Sequence, residues 1–197
     1  MFSTLRTGWI AVALSVMGGL FATAAQAGPP SMMFQAGYGK MVEDGAPNGD
    51  LAFHGNAFVM ANPVIGVGAE GGYAWLGSTP TNTTTFGDIK TNVWHVTGNV
   101  RVRGVTGSIR PYGIGGLGVY GLHESDNAGS GSDTKFGFNI GGGLTHKFPD
   151  SSTGLSLEAR WHMVSSVPNS FSNPASTTPF EKSTLNMVTI TAGVDFN

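Results

Sequence analysis

Few residues in this chain have the types and spacing to do chemistry. In "YGLHESDNAG", His123 and Ser125 stand two apart. On an extended backbone, side chains two apart share a face, so an imidazole base could meet a hydroxyl nucleophile there. Such a pair also needs a group to orient the base, and the candidate for that part, Asp133, falls in a loop. Small polar residues after a strand are ordinary loop chemistry, and that reading is preferred. His95 and His162 are a second candidate pair, but a metal site needs a third ligand in a definite geometry. Asp126 and Asp133 could share a calcium ion or a lipopolysaccharide-bridging cation, yet they lack EF-hand spacing. What remains is a scattered set of charges, Glu70, Arg101, Arg103, Glu158 and Arg160, whose meaning depends on the elements that carry them.

The stretch "GLSLEARWHMV", Gly154–Val164, shows what those elements are. Leu155, Leu157, Ala159, Trp161 and Met163 fall on one parity; Ser156, Glu158, Arg160 and His162 fall on the other. A period of two predicts a β-strand with one apolar and one polar face. The pattern recurs eight times after the first 30 residues. The first run groups Met32, Phe34, Ala36 and Tyr38; the second sets Phe53, Ala57, Val59 and Ala61 against His54, Asn56, Phe58 and Met60. The third sets Ile65, Val67, Ala69, Tyr73 and Trp75 against Glu70 and glycines, and the fourth Trp94, Val96, Val100 and Val102 against His95, Thr97, Asn99, Arg101 and Arg103. The sixth places Phe136, Phe138, Ile140, Leu144 and Phe148 opposite Asn139, Thr145 and Lys147. The seventh is the stretch just quoted, and the eighth places Val188, Ile190, Ala192, Val194 and Phe196 opposite Thr189, Thr191, Gly193 and Asp195. The fifth, "RPYGIGGLGVYGL", is so rich in glycine that either parity fits; Tyr112, Ile114 and Tyr120 are assigned outward, with Leu117 and Val119 inward.

The connections alternate too. Val42–Asp50, Gly77–Lys90, His123–Thr134 and Ser165–Ser183 are long, while Asn62–Pro63, Val105–Ser108 and Pro149–Thr153 are tight. An up-and-down antiparallel sheet puts every second connection at the same end. All long loops then share one end and all tight turns the other, the asymmetry of a transmembrane barrel. With that topology, Trp75, Trp94, Tyr120, Phe136 and Trp161 lie near the long-loop end of the apolar faces, and Phe34, Tyr112, Phe148 and Phe196 near the other. Two aromatic girdles around a band of aliphatic residues match lipid contact. The apolar face is expected outside and the polar face inside.

Composition agrees with an exported membrane protein. "MFSTLRTGWIAVALSVMGGLFATAAQAG" has a charged start, an apolar run and small residues at a cleavage position, so residues 1–27 are expected to be a cleaved secretory signal peptide. Residues 28–197 then form one domain. There is no cysteine, and so neither a disulfide framework nor a thiol site. Charged residues make up 11% of the chain, against ~25% in ordinary soluble domains, too few to keep a secreted globule dispersed. The net charge of −2, without a basic cluster, gives no reason to expect a nucleic-acid partner. A closed barrel supplies stability without disulfides, because every backbone polar group is paired within the sheet.

The segments "IRPYGIGGLGVYGL", "TKFGFNIGGGLTHKF", "LSLEARWHMV" and the terminal "VTITAGVDFN" resemble the outer membrane β-barrel domain family, the small eight-stranded relatives of OmpA, OmpX and opacity-type surface proteins. The resemblance covers residues 28–197. It implies an all-β, eight-stranded antiparallel up-and-down transmembrane barrel in the cell outer membrane, both termini periplasmic. Members end on an aromatic residue that resembles an assembly signal; here Phe196 is followed by Asn197. His123-x-Ser125 looks like the His-x-Ser pair of lipid A 3-O-deacylases, but Gly137 stands where that family's spacing would put the carboxylate, twelve residues after Ser125. The expected function is therefore non-enzymatic, structural or surface-recognising, with a narrow solute channel as the alternative. Expected partners are outer-membrane lipids and lipopolysaccharide, and an extracellular protein or surface ligand met by the long loops. A monomer without cofactor or metal is expected. Inside, Glu70, Arg101, Glu158 and Arg160 are expected to be the centre of an ion-pair ladder that includes Arg103, with His95 and His162 as polar filling, since eight strands leave room only for side chains.

Overall fold

The computed structural model describes residues 30–42, 48–79, 89–125, 130–168 and 182–196, in which every regular element is a strand. These are β1 (Ser31–Met41), β2 (Asp50–Met60), β3 (Ile65–Thr79), β4 (Ile89–Arg103), β5 (Ile109–Ser125), β6 (Ser130–Lys147), β7 (Thr153–Pro168) and β8 (Lys182–Phe196). Each pairs antiparallel with the next, and β8 pairs with β1 from Met32↔Phe196 to Met41↔Met187, closing an eight-stranded barrel. The signal peptide expected at 1–27 lies outside the described residues.

The alternation explains the closure. Large apolar side chains stand on the outer face, among them Phe34, Val100, Phe136, Ile140, Leu157 and Ile190. Ile140 is 63% exposed, which only a hydrocarbon surround makes favourable for so continuous an apolar surface. The opposite parity is buried and mostly polar in the middle of the barrel, from Gln35 on β1 to Thr191 on β8.

Three short connections, 61–64, 104–108 and 148–152, lie at one end. Asn62 Oδ1 accepts hydrogen bonds from the amides of Val64 (2.9 Å) and Ile65 (2.8 Å), the Asx arrangement that turns the chain locally. Gly107 in the second turn and Asp150 in the third adopt positive φ, 80° and 55°, a conformation that glycine takes freely and aspartate tolerates. At the other end, β5 and β6 remain paired up to Ser125↔Ser130. The long loop expected at His123–Thr134 is therefore largely strand: residues 123–125 and 130–134 read as loop by composition, but they are paired across the hairpin.

The face assigned to β5 is reversed. Tyr112 and Tyr120 are 7% and 0% exposed and point into the lumen with Ile114, while Leu117 is 60% exposed. Neither tyrosine belongs to an outer aromatic belt. The reason lies on β6, whose inward positions facing these rings are glycines. A Cβ on Gly143 would come within 2.7 Å of the Tyr112 ring, and one on Gly137 within 2.8 Å of the Tyr120 ring. Large side chains on one strand fill the space left by small ones on its neighbour.

Candidate functional site

The lumen concentrates the polar chemistry of the described residues, and it is layered. In the middle, β7 places Glu158 and Arg160 two apart on the inner face, and β3 brings Glu70 across from them. Arg160 Nη1 donates to both oxygens of Glu70, at 2.5 and 2.6 Å, and its Nη2 lies 2.5 Å from Glu158 Oε1. One guanidinium thus bridges two carboxylates, a geometry its planar fork allows. Glu158 Oε2 also accepts from the Tyr112 hydroxyl at 2.9 Å. His95 Nε2 lies 3.0 Å from Glu70, while His54 Nε2 lies 3.4 Å from Glu158 and 2.6 Å from Gln35 Oε1. Gln35 in turn donates to Ser156 Oγ at 3.1 Å. All these side chains are buried, so each charge is held by partners and not by bulk water.

Toward the long-connection end, Tyr120 OH and His162 Nδ1 are 3.2 Å apart, and His162 Nε2 is 3.4 Å from Thr189 Oγ1. His95 and His162 do come together, ring centroids 5.1 Å apart, but with hydrogen-bonding roles. Among the described residues no group of three His, Cys, Asp or Glu is placed to hold a metal ion. Above them the lumen is filled by Met41, Ala52, Ala74, Leu76, Val93, Leu122, Val164, Leu185 and Met187, a contiguous buried apolar cluster.

Toward the short-turn end, Met33, Phe58, Tyr112 and Ile114 form a second apolar cluster. Arg101, expected in the central network, lies below this layer and apart from Glu70 and Arg160. Its guanidinium stacks over the Phe58 ring, 4.4 Å from the centroid. Its Nη2 donates to Ser31 Oγ at 3.0 Å, and Ser31 donates to Asp195 Oδ1 at 3.1 Å. Arg103 sits lower still, half-buried, donating to the Pro63 carbonyl at 3.2 Å.

The candidate hydrolytic residues are not assembled. His123 and Ser125 share the parity of Leu117, which faces outward, whereas Asp133 pairs with Leu122, which faces inward. Asp133 is instead bonded to Lys135 at 2.9 Å. On the outer surface, Trp75, Trp94 and Trp161 stand exposed toward the long-connection end, with Trp75 packed against Tyr73 (4.8 Å) and Phe53 (5.6 Å). Trp161 Nε1 donates to Asn186 Oδ1 at 3.2 Å. Phe148 and Phe196 are exposed at the opposite end, the latter edge-on to Phe34. Much of the expected loop sequence, including Asp126, lies outside the described residues.

Three members of the network escape a reading of the sequence. His54 and Gln35 have the inward parity but no motif, and their link to Glu158 joins strands far apart in the chain. Tyr112 was hidden by the glycines around it. A usable signal was Arg110, which shares its parity and would otherwise face lipid.

The sequence model of the outer membrane protein beta-barrel domain matches residues 10–197. No curated protein sequence matches the chain. Among solved structures it is similar to Neisserial surface protein A (NspA), at 10% identity and a TM-score of 0.64, over 86% of this chain and 97% of that one. It is also similar to Ail, the attachment invasion locus protein of Yersinia pestis, solved in complex with the heparin analogue sucrose octasulfate. There the identity is 17% and the TM-score 0.51, over 86% of this chain and 100% of that one. At these identities the likenesses speak for the fold.

Proposed function

Because the chain belongs to the outer membrane protein beta-barrel domain family, we propose that it is a closed, non-enzymatic barrel that presents its long connections for surface recognition. The observation that carries this reading is the filled lumen: a buried ion-pair network bounded above and below by apolar side chains. A route for solutes would have to displace both apolar layers. In this reading the short turns and both termini face the periplasm, following the usual asymmetry of such barrels. Trp75, Trp94 and Trp161 then lie at the outer headgroup level, against lipopolysaccharide, and Phe148 and Phe196 at the inner one. Closure leaves no strand edge unpaired, which favours a monomer.

The connections 42–49, 80–88, 126–129 and 169–181 contain Glu43, Asp44, Asp88, Asp126 and Glu181 but no Lys or Arg. Ail was solved with a sulfated sugar; connections of this sign repel such a ligand and suit a cationic surface. The test is conductance of the refolded protein in a planar bilayer, with vesicles of the same preparation offered lysine-coated and sulfated-saccharide surfaces. Silence is expected from the wild type and from Arg160→Ala, which leaves both apolar layers in place, with retention on the lysine surface only. Discrete current steps in the wild type, larger in the variant, would make transport the function.

A further inference from the structure

Toward the long-connection end of the lumen, two thioethers stand beside two imidazoles. Met41 is the Cα partner of Met187 across the β1–β8 seam, and Met187 is the partner of His162 across β7 and β8. All three side chains point inward, at 1%, 0% and 0% exposure, and same-face neighbours on adjacent strands have Cβ atoms about 5 Å apart. His95 joins them from β4, its ring centroid 5.1 Å from that of His162. Two imidazoles bound to one ion, about 2 Å from each nitrogen, have centroids about 5–6 Å apart. His95 also has the hydrogen bonding of a ligand. Its Nε2 lies 3.0 Å from Glu70, while its Nδ1 is buried with no partner among the described residues. A carboxylate on one nitrogen with the other left open is the arrangement that orients an imidazole for a metal. His162 is comparable: Nδ1 reaches the Tyr120 hydroxyl at 3.2 Å, and Nε2, turned toward β8, has only a long contact to Thr189 at 3.4 Å. The further ligands that two histidines lack are thus thioethers.

We propose that Met41, Met187, His162 and His95 form a site for a soft monovalent cation, Cu(I), inside the closed lumen. Thioether sulfur and imidazole together suit copper, whereas Mg(II) and Ca(II) take oxygen ligands. Charge separates Cu(I) from Zn(II). In the adjoining layer Glu70 and Glu158 share one guanidinium, that of Arg160. With neutral imidazoles that layer keeps one negative charge, which a singly charged ion balances and a doubly charged one overshoots. β1 ends at Met41, whereas β8 runs on past Met187 to Lys182, so the methionine pair stands at the mouth end of the seam. The site rests on the lumen as folded and not on what the connections recognise.

The experiment is titration of the refolded full chain, in uncharged detergent and chloride-free buffer, with Cu(I) held anaerobically by a competing chelator and with Ag(I) as its air-stable analogue. X-ray absorption of the copper-loaded protein reads the ligand atoms. One ion per chain is expected, with both sulfur and nitrogen in the copper shell. Affinity should fall by more than about a hundredfold in Met41→Leu/Met187→Leu, since changes to supporting groups alone cost about 10–100-fold. It should be unchanged in Met32→Leu, whose side chain faces outward at 45% exposure. Leucine conserves the volume of methionine, and heat-modifiable migration on gels checks that the variants fold. No saturation, saturation indifferent to the double variant in folded protein, a copper shell without sulfur, or Zn(II) held as tightly would overturn the site.

Discussion

At the long-connection end the lumen closes on Met41, Leu76, Val93, Leu122, Leu185 and Met187, none of which can carry charge. At the short-turn end four cationic side chains stand around Asp195. On β4, β5 and β8 both ends lie on the same inward parity of one strand. The comparison shows that parity fixes which way a side chain points but not what it must be. Near the long connections the inward residues are apolar, and water is excluded by packing. Near the short turns, Arg103, Arg110 and Lys147 are only half-buried and keep access to solvent. Arg160, clasped by Glu70 and Glu158, stands between the two regimes.

Removing that divider should have the largest effect. Arg160→Ala leaves two buried carboxylates without their shared cation, and a loss of about 3–5 kcal/mol is expected. Urea titration of the folded, heat-modifiable form in lipid vesicles measures it; an unchanged midpoint would mean the middle layer does not hold the ends together. Next comes the apolar end, where Leu185→Ala opens a cavity in a fully buried cluster and should cost about 2–5 kcal/mol. Because that loss is one of packing, it should be the same at low and high salt. Smallest is Tyr112→Phe at the lower layer, which strips Glu158 Oε2 of its tyrosine donor and should cost about 1.5–3 kcal/mol. A neutral result there would return Tyr112 to the lipid-facing side.

The faces of every strand but β5 were legible because lipid demands apolar residues on one parity while the lumen tolerates polar ones. β5 failed where Gly113, Gly115, Gly116 and Gly118 removed the contrast; the deciding residues, Gly137 and Gly143, belong to its neighbour. The level of a residue along the axis was less legible still. Glu70 pairs with Thr97, whereas Arg101 on the same β4 strand pairs with Gly66. Arg101 therefore stands a layer below the carboxylate it was expected to meet. Levels follow from the stagger between strands, which is set by hairpin registers that no single strand encodes. The apolar fill at Ala74 and Leu76 was equally hidden, since β3 there is apolar on both parities and gives no inside or outside.

The hydrogen bond from Ser31 to Asp195 joins residues 164 positions apart, and the seam it belongs to has a consequence in time. β1 cannot gain its second neighbour until β8 arrives, so one flank of the earliest strand waits for nearly the whole chain. Contacts of such long range make folding slow, and a chain stopped short of β8 would keep two open flanks ready to pair with other chains. Assembly of this molecule should therefore run as one late, all-or-none event, set by how long its first strand can be kept from the wrong company.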